Sequence, residues 1–150
     1  MGLRSLRSFL RRHHRVLLDT SIFIYQLEEN ERYIGFSAEV FSQIEAGLCK
    51  ATTSTITMTE LLVQPYRNRN MQLIDSYFAL LTTPPNLDWI APDLAIADTA
   101  ARLRADHRMQ TPDALQAATA IEAKVTGLIT NDPIFKRVEG LEVFVFEEFV

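Results

Sequence analysis

"TPDALQAATAIEAKVTGLITND", residues 111–132, passes from a helix through a turn into a strand and stops on an acid. Thr111 reads as the N-cap, and Pro112 suits the first helical position, where a missing N–H and a fixed φ do no harm. Ala114, Ala117, Ala118 and Ala120 keep the helix narrow enough for close packing. "GLIT" (127–130) is a short apolar run fit for a buried strand, and Asp132 follows two residues after it. A helix feeding such a strand is half of a βαβ unit, the building block of a parallel sheet.

The same pattern recurs on both sides. "VLLD" (16–19) is a strand ending on Asp19, and "CKATTST" (49–55), "LDWI" (87–90) and "LEVFVF" (141–146) are further strands. Helical periodicity runs over 22–29, over 33–46 with Gly47 as the stop, over 55–66 to Pro65, over 69–81, and from Pro92 to about His107. "TTPPN" (82–86) is a break and "DPIFKRV" (132–138) a helical turn. Alternation of this kind predicts an α/β fold: a three-layer sandwich with a mostly parallel central sheet and helices on both faces.

The chain has 150 residues, 47% hydrophobic, enough for one domain with a core of its own. Its single cysteine, Cys49, cannot form an internal bridge; a small buried hydrophobe suits a reducing compartment such as the cytoplasm. No apolar run is long enough to span a membrane. Charge is uneven. Residues 1–15, "MGLRSLRSFLRRHHR", carry five arginines and no acid, and read as a mobile basic arm. Residues 16–150 carry ten basic and 19 acidic residues, a net of -9. Such a body is no obvious polyanion binder, so a nucleic-acid substrate would need local help from cations or the arm.

Ligands of open α/β sheets bind beyond the carboxyl ends of the strands. Asp19 and Asp132 follow strands there, Asp113 opens the alanine-rich helix, and Glu60 lies one turn into the helix after "ATTST". Taken singly, each has an ordinary explanation as a cap, a first-turn acid, a turn residue or a solvated face. Together they demand a cation: two carboxylates ~5 Å apart repel by roughly 3 kcal/mol at an effective dielectric of ~20. Hard oxygen ligands suit Mg²⁺ or Mn²⁺. No Cys/His spacing suggests zinc, and His13, His14 and His107 read as solvated. Arg102, Arg104, Arg108, Lys136 and Arg137 could grip a substrate but read better as solvated faces and stay outside the site. An aspartyl-phosphate phosphatase would want an acid where Ser21 stands, a phosphate receiver would want adjacent acids after the first strand, and "DTSIF" lacks the glycines of a dinucleotide turn.

"VLLDTSIFIYQLE", "TTSTITMTELL" and "TPDALQAATAIEAKVTGLITNDPIF" resemble the PIN-domain nucleases, in particular the small VapC-type toxins of toxin–antitoxin pairs. The resemblance covers about Val16 to Val150 and implies a nuclease domain over 16–150, with 1–15 as an added basic arm. It further implies a PIN-like parallel sheet around a metal pocket and an Mg²⁺-dependent endoribonuclease, with Mn²⁺ as the alternative ion. The family's acidic quartet falls on Asp19, Glu60, Asp113 and Asp132. Thr20 or Ser21 would lie in the first loop of the site, Thr130 would position the attacking water or Asp132, and Asn131 is a weaker candidate. RNA as substrate, a cognate antitoxin and a homodimer are the implied partners. A non-catalytic PIN-fold binding module and a housekeeping RNA-processing nuclease without an antitoxin are the alternatives. The charge jump and the family-like start at Val16 raise one hypothesis, initiation at that codon, which the intact mass of the native protein tests. Apolar residues of the first two helices of this region (Ile22, Phe23, Leu27, Phe36, Val40, Phe41, Ile44) are expected in the core.

Overall fold

The computed structural model describes residues 2–150. Five strands form one sheet: β1 (Arg15–Leu18), β2 (Lys50–Ser54), β3 (Leu87–Ile90), β4 (Gly127–Thr130) and β5 (Glu142–Val145). Their order is β3-β2-β1-β4-β5 and every pairing is parallel. β1 is central, with Leu17 opposite Thr52 on one side and Leu18 opposite Ile129 on the other.

Seven helices cover the two faces: α1 (Gly2–His13), α2 (Thr20–Leu27), α3 (Ile34–Glu45), α4 (Ile56–Arg67), α5 (Met71–Thr82), α6 (Leu94–His107) and α7 (Thr111–Glu122). Strand pleating divides the core, because successive side chains point to opposite faces. Val16, Leu18 and Ile129 pack with Ile22, Phe23, Val40 and Ile44 from α2 and α3; Leu17 and Leu128 pack with Ile96, Ala100, Ala114 and Ala117 from α6 and α7. The apolar residues of α2 and α3 are thus core, with Leu27, Phe36 and Phe41 packed against it.

Residues expected to form a mobile arm are instead helix α1, docked on the sheet. Leu6, Phe9 and Leu10, at i, i+3 and i+4, are 0–2% exposed and belong to the same cluster as Leu18 and Phe144. Such a stripe is what an amphipathic helix buries. Arg7 pairs with Glu39, and Arg12 with Glu142. His13 is not solvated either: its ring is hydrogen-bonded to Thr126 Oγ1 (2.9 Å) and Glu142 Oε2 (2.8 Å) and lies 4.5 Å from the Phe9 ring centroid. Gly127 makes room for it, since a Cβ there would stand 2.7 Å from His13 Cγ.

Two boundaries also move. Pro65 does not end α4 but lies inside it, buried, two residues before the helix stops at Arg67. The N-cap of α7 is Gln110, in extended backbone, so Thr111 and Pro112 are the first two helical residues. Cys49 is buried as expected, and burial pushes its thiol up to about 11. No helix among the described residues is long and apolar enough to cross a membrane.

Candidate active site

Parallel strands deliver their last residues to one edge, and the four acids sit along it. Asp19 leaves β1 with its N–H still in the ladder, donating to the Ile129 carbonyl at 3.1 Å. It is also the N-cap of α2: Oδ1 accepts the Thr20 N–H at 2.8 Å. The helix-cap and site explanations for this residue therefore describe the same geometry. Oδ2 accepts hydrogen bonds from the hydroxyls of Thr130 (2.7 Å) and Ser21 (3.3 Å). Thr130, the last residue of β4, accepts the Asp132 N–H at 3.0 Å through that same oxygen, so one hydroxyl joins the two aspartates.

Glu60 lies one turn into α4, exposed, with Oε1 accepting the Thr20 hydroxyl at 2.8 Å. Asp113 is half-buried in the first turn of α7. Asp132 is exposed and caps the short 3₁₀ helix Pro133–Arg137, accepting the Ile134 N–H at 2.9 Å. Asn131 turns away from the carboxylates; it donates to the Tyr25 hydroxyl (3.0 Å) and accepts the Glu147 N–H (2.7 Å), fastening the β4 loop to α2 and the C-terminal turn.

The acids feel one another. Burial raises the Asp19 carboxyl to about 6; the Thr130 and Thr20 hydrogen bonds oppose this, and the charges of Asp113 and Glu60 add to it. Asp113 is raised by burial, then by Asp132 and Glu60. Among the described residues no ion pair includes any of the four. Four of the five cations weighed as substrate grips are engaged elsewhere: Arg102 with Asp98, Lys136 with Glu148, Arg104 with the Met109 carbonyl and Arg137 with that of His107; the fifth, Arg108, is the exposed left-handed C-cap of α6.

Among the described residues no three His, Cys, Asp or Glu side chains are drawn tightly enough to hold a metal ion as they stand. The donor set nevertheless fits a hard divalent cation: carboxylate and hydroxyl oxygens only, uncompensated by any positive side chain, at the edge of the sheet. Sequence reasoning missed two buried residues behind the site, Thr57 and Gln116. Their signal was spacing alone: Thr57 is three residues before Glu60 and Gln116 three after Asp113, each on the face of its helix that carries the acid.

An all-parallel α/β sandwich with neighbouring carboxylates at the carboxyl edge of its central strands defines the class. The model of the PIN domain matches residues 16–141, and the chain belongs to that family, whose members are generally nucleases that use divalent metals. Among solved structures, VapBC-1 from nontypeable Haemophilus influenzae is similar at a TM-score of 0.67 and 24% identity, over 89% of this chain and 98% of that one. VapBC2 from Rickettsia felis, bound to a DNA fragment from its promoter, gives 0.66 and 19%, over 87% and 98%. A toxin–antitoxin complex from Klebsiella pneumoniae gives 0.64 and 23%, over 87% and 97%. These likenesses show the fold. Comparison with curated proteins finds no match. The family match begins at Val16, so α1 lies outside it.

Proposed function

We propose that this chain is a metal-dependent endoribonuclease and the toxin of a VapBC-type toxin–antitoxin pair. The observation that carries the catalytic half is the group of four carboxylates in which Asp113 repels the other three, one of them buried, with no ion pair to any of the four. Asp19, Glu60, Asp113 and Asp132 would hold Mg²⁺ or Mn²⁺. When bound, such an ion activates a water and neutralises charge on the phosphate under attack.

The chain's own part is to present these oxygens in order. Neutral donors hold Asp19: a backbone N–H and two hydroxyls, none of which competes with a cation for its charge. Thr130 keeps the Asp132 backbone in register with Asp19. Asp113 and Glu60 are more open and form the solvent side of the group. A backbone phosphate reaching it meets an acidic surface, so binding of RNA depends on the cation and on shape. A side chain serving as covalent nucleophile is not part of this reading.

Support for a protein partner comes from another face. Between α4 and α5 an apolar cleft of about 810 Å³ is lined by Met58, Leu62, Val63, Tyr66, Phe78 and Trp89. Tyr66 and Phe78 are 56% and 52% exposed, as expected of a surface that is covered in a homodimer or by an antitoxin. One solved neighbour is a toxin–antitoxin complex by description, and two others are described as VapBC2 and VapBC-1.

The test compares wild type with Asp113→Asn on a mixed pool of structured RNAs in Mg²⁺, Mn²⁺ or EDTA. Cleavage that needs metal and is lost in the variant is expected. No cleavage, together with no metal-dependent rise in melting temperature, refutes the proposal and returns the chain to a non-catalytic binding module.

A further inference from the structure

Behind the carboxylates lies a line of buried polar groups that the reading above does not use. Gln116 in α7 is 1% exposed, and Thr53 and Thr57 are fully buried. The Gln116 amide oxygen accepts the Ser54 N–H at 3.3 Å, which fixes its orientation; its nitrogen then donates to Thr57 Oγ1 at 2.7 Å. Thr57 Oγ1 also stands 2.8 Å from Thr53 Oγ1 and 3.1 Å from Thr20 Oγ1.

Bond directions follow by counting protons. A threonine hydroxyl has one proton to give. Thr53 gives its own to the Leu18 carbonyl at 2.9 Å, and Thr20 gives its own to Glu60 at 2.8 Å. Both therefore meet Thr57 as acceptors, and Thr57, with one proton of its own, gives it to one of them at a time. The line from the helix to the acid is Gln116 to Thr57, Thr57 against Thr20, and Thr20 to Glu60. It begins three residues after Asp113, passes beside Asp19 and ends on Glu60, linking three of the four acid-bearing elements through groups shielded from water.

Glu60 needs such a restraint. It is exposed, and it and its neighbours Asp19 and Asp113 repel one another. Left free, its side chain lowers its energy by swinging into solvent. Among the described residues the Thr20 hydroxyl is the only hydrogen-bond donor on its carboxylate. A Thr20 proton turned toward Thr57 instead would release it; the Gln116 N–H already fills one of the two lone pairs of the Thr57 oxygen, and so disfavours that turn.

We infer that Thr57 and Gln116 are positioning residues, which hold Glu60 beside Asp19 and Asp113 through Thr20 and so keep it within reach of a cation. This rests on the metal-site reading above and deepens it. Groups that orient metal ligands from behind typically change metal affinity by about 10–100-fold when removed.

The test measures Mn²⁺ binding to the purified full chain by electron paramagnetic resonance, with melting temperature recorded in EDTA. Thr57→Val keeps the shape and deletes the hydroxyl; Thr57→Ser restores it. The expected result is at least about tenfold weaker Mn²⁺ binding in Thr57→Val and near wild-type binding in Thr57→Ser. A role in folding alone would lower the melting temperature without this selective loss and rescue. Gln116→Met, which removes the donor at similar volume, carries the same test if Thr57→Val does not fold. Wild-type Mn²⁺ affinity in a folded Thr57→Val or Gln116→Met overturns the inference. Absence of Mn²⁺ binding by wild type itself overturns the metal-site reading, and this inference with it.

Discussion

Replacing Asp19 by asparagine should stabilise the metal-free protein. Asp19 is 9% exposed, touches no cation, and has its carboxyl raised from 3.8 to about 6. That is about two pKa units at ~1.4 kcal/mol each, so its ionised form costs about 3 kcal/mol of stability at neutral pH. Asp19→Asn removes the charge but weakens the bonds from Thr20 and Thr130, a loss of about 1 kcal/mol. The remaining gain of about 2 kcal/mol corresponds to a rise in melting temperature of roughly 5 °C for a chain of this length. Between pH 4 and 6 the folded state binds more protons at Asp19 than the unfolded state does, so wild-type stability from this group falls as pH rises and the full penalty is present above about pH 6. The advantage of Asp19→Asn should therefore be largest at pH 7.5 and shrink toward pH 4.5. Thermal unfolding in EDTA at the two pH values reads this directly, and repeating it with Mn²⁺ should raise wild type more than the variant. A variant that melts at or below wild type at pH 7.5 in EDTA, or an advantage independent of pH, refutes the reasoning.

Phe9→Ala should destabilise the protein by about 3–5 kcal/mol, because the ring is 2% exposed and packs on Phe144; a denaturation midpoint equal to wild type would mean that α1 is not part of the core. Gly127→Ala should cost about 1–3 kcal/mol by driving a methyl group into the His13 ring, and in the double variant with His13→Ala much of that cost should disappear in urea titrations. Burial of the α4–α5 cleft in a homodimer, as proposed, predicts that Tyr66→Glu together with Phe78→Lys leaves Mn²⁺ binding unchanged and shifts sedimentation toward monomer; sedimentation unchanged from wild type would exclude the cleft as a dimer face.

The regular part of the fold was legible because its signals are local. Apolar runs such as "VLL" and "GLIT" bounded by polar residues are strands in the structure, and the alanine-rich segment is α7. Helix α1 was hidden by composition: five arginines in fifteen residues outweigh a stripe of only three buried side chains. Asp19, Glu60, Asp113 and Asp132 stood out because each follows or opens an element at the same edge. Thr57 and Gln116 did not, since a threonine or glutamine inside a helix has many uses and theirs is set by partners 37 and 59 residues away. Tertiary pairing of that kind leaves no periodicity to read.

The central place of β1 also sets a timetable for synthesis. Asp19 is made early, yet the hydroxyl that holds it belongs to Thr130, 111 residues later, and β4 must pair with β1 before the two meet. Parallel pairing over such a separation forms slowly, and nothing in the first four-fifths of the chain can substitute for it. The link between Asp19 and Asp132 therefore forms only when nearly the whole chain has been made, and unfinished chains lack the hydroxyl that joins them.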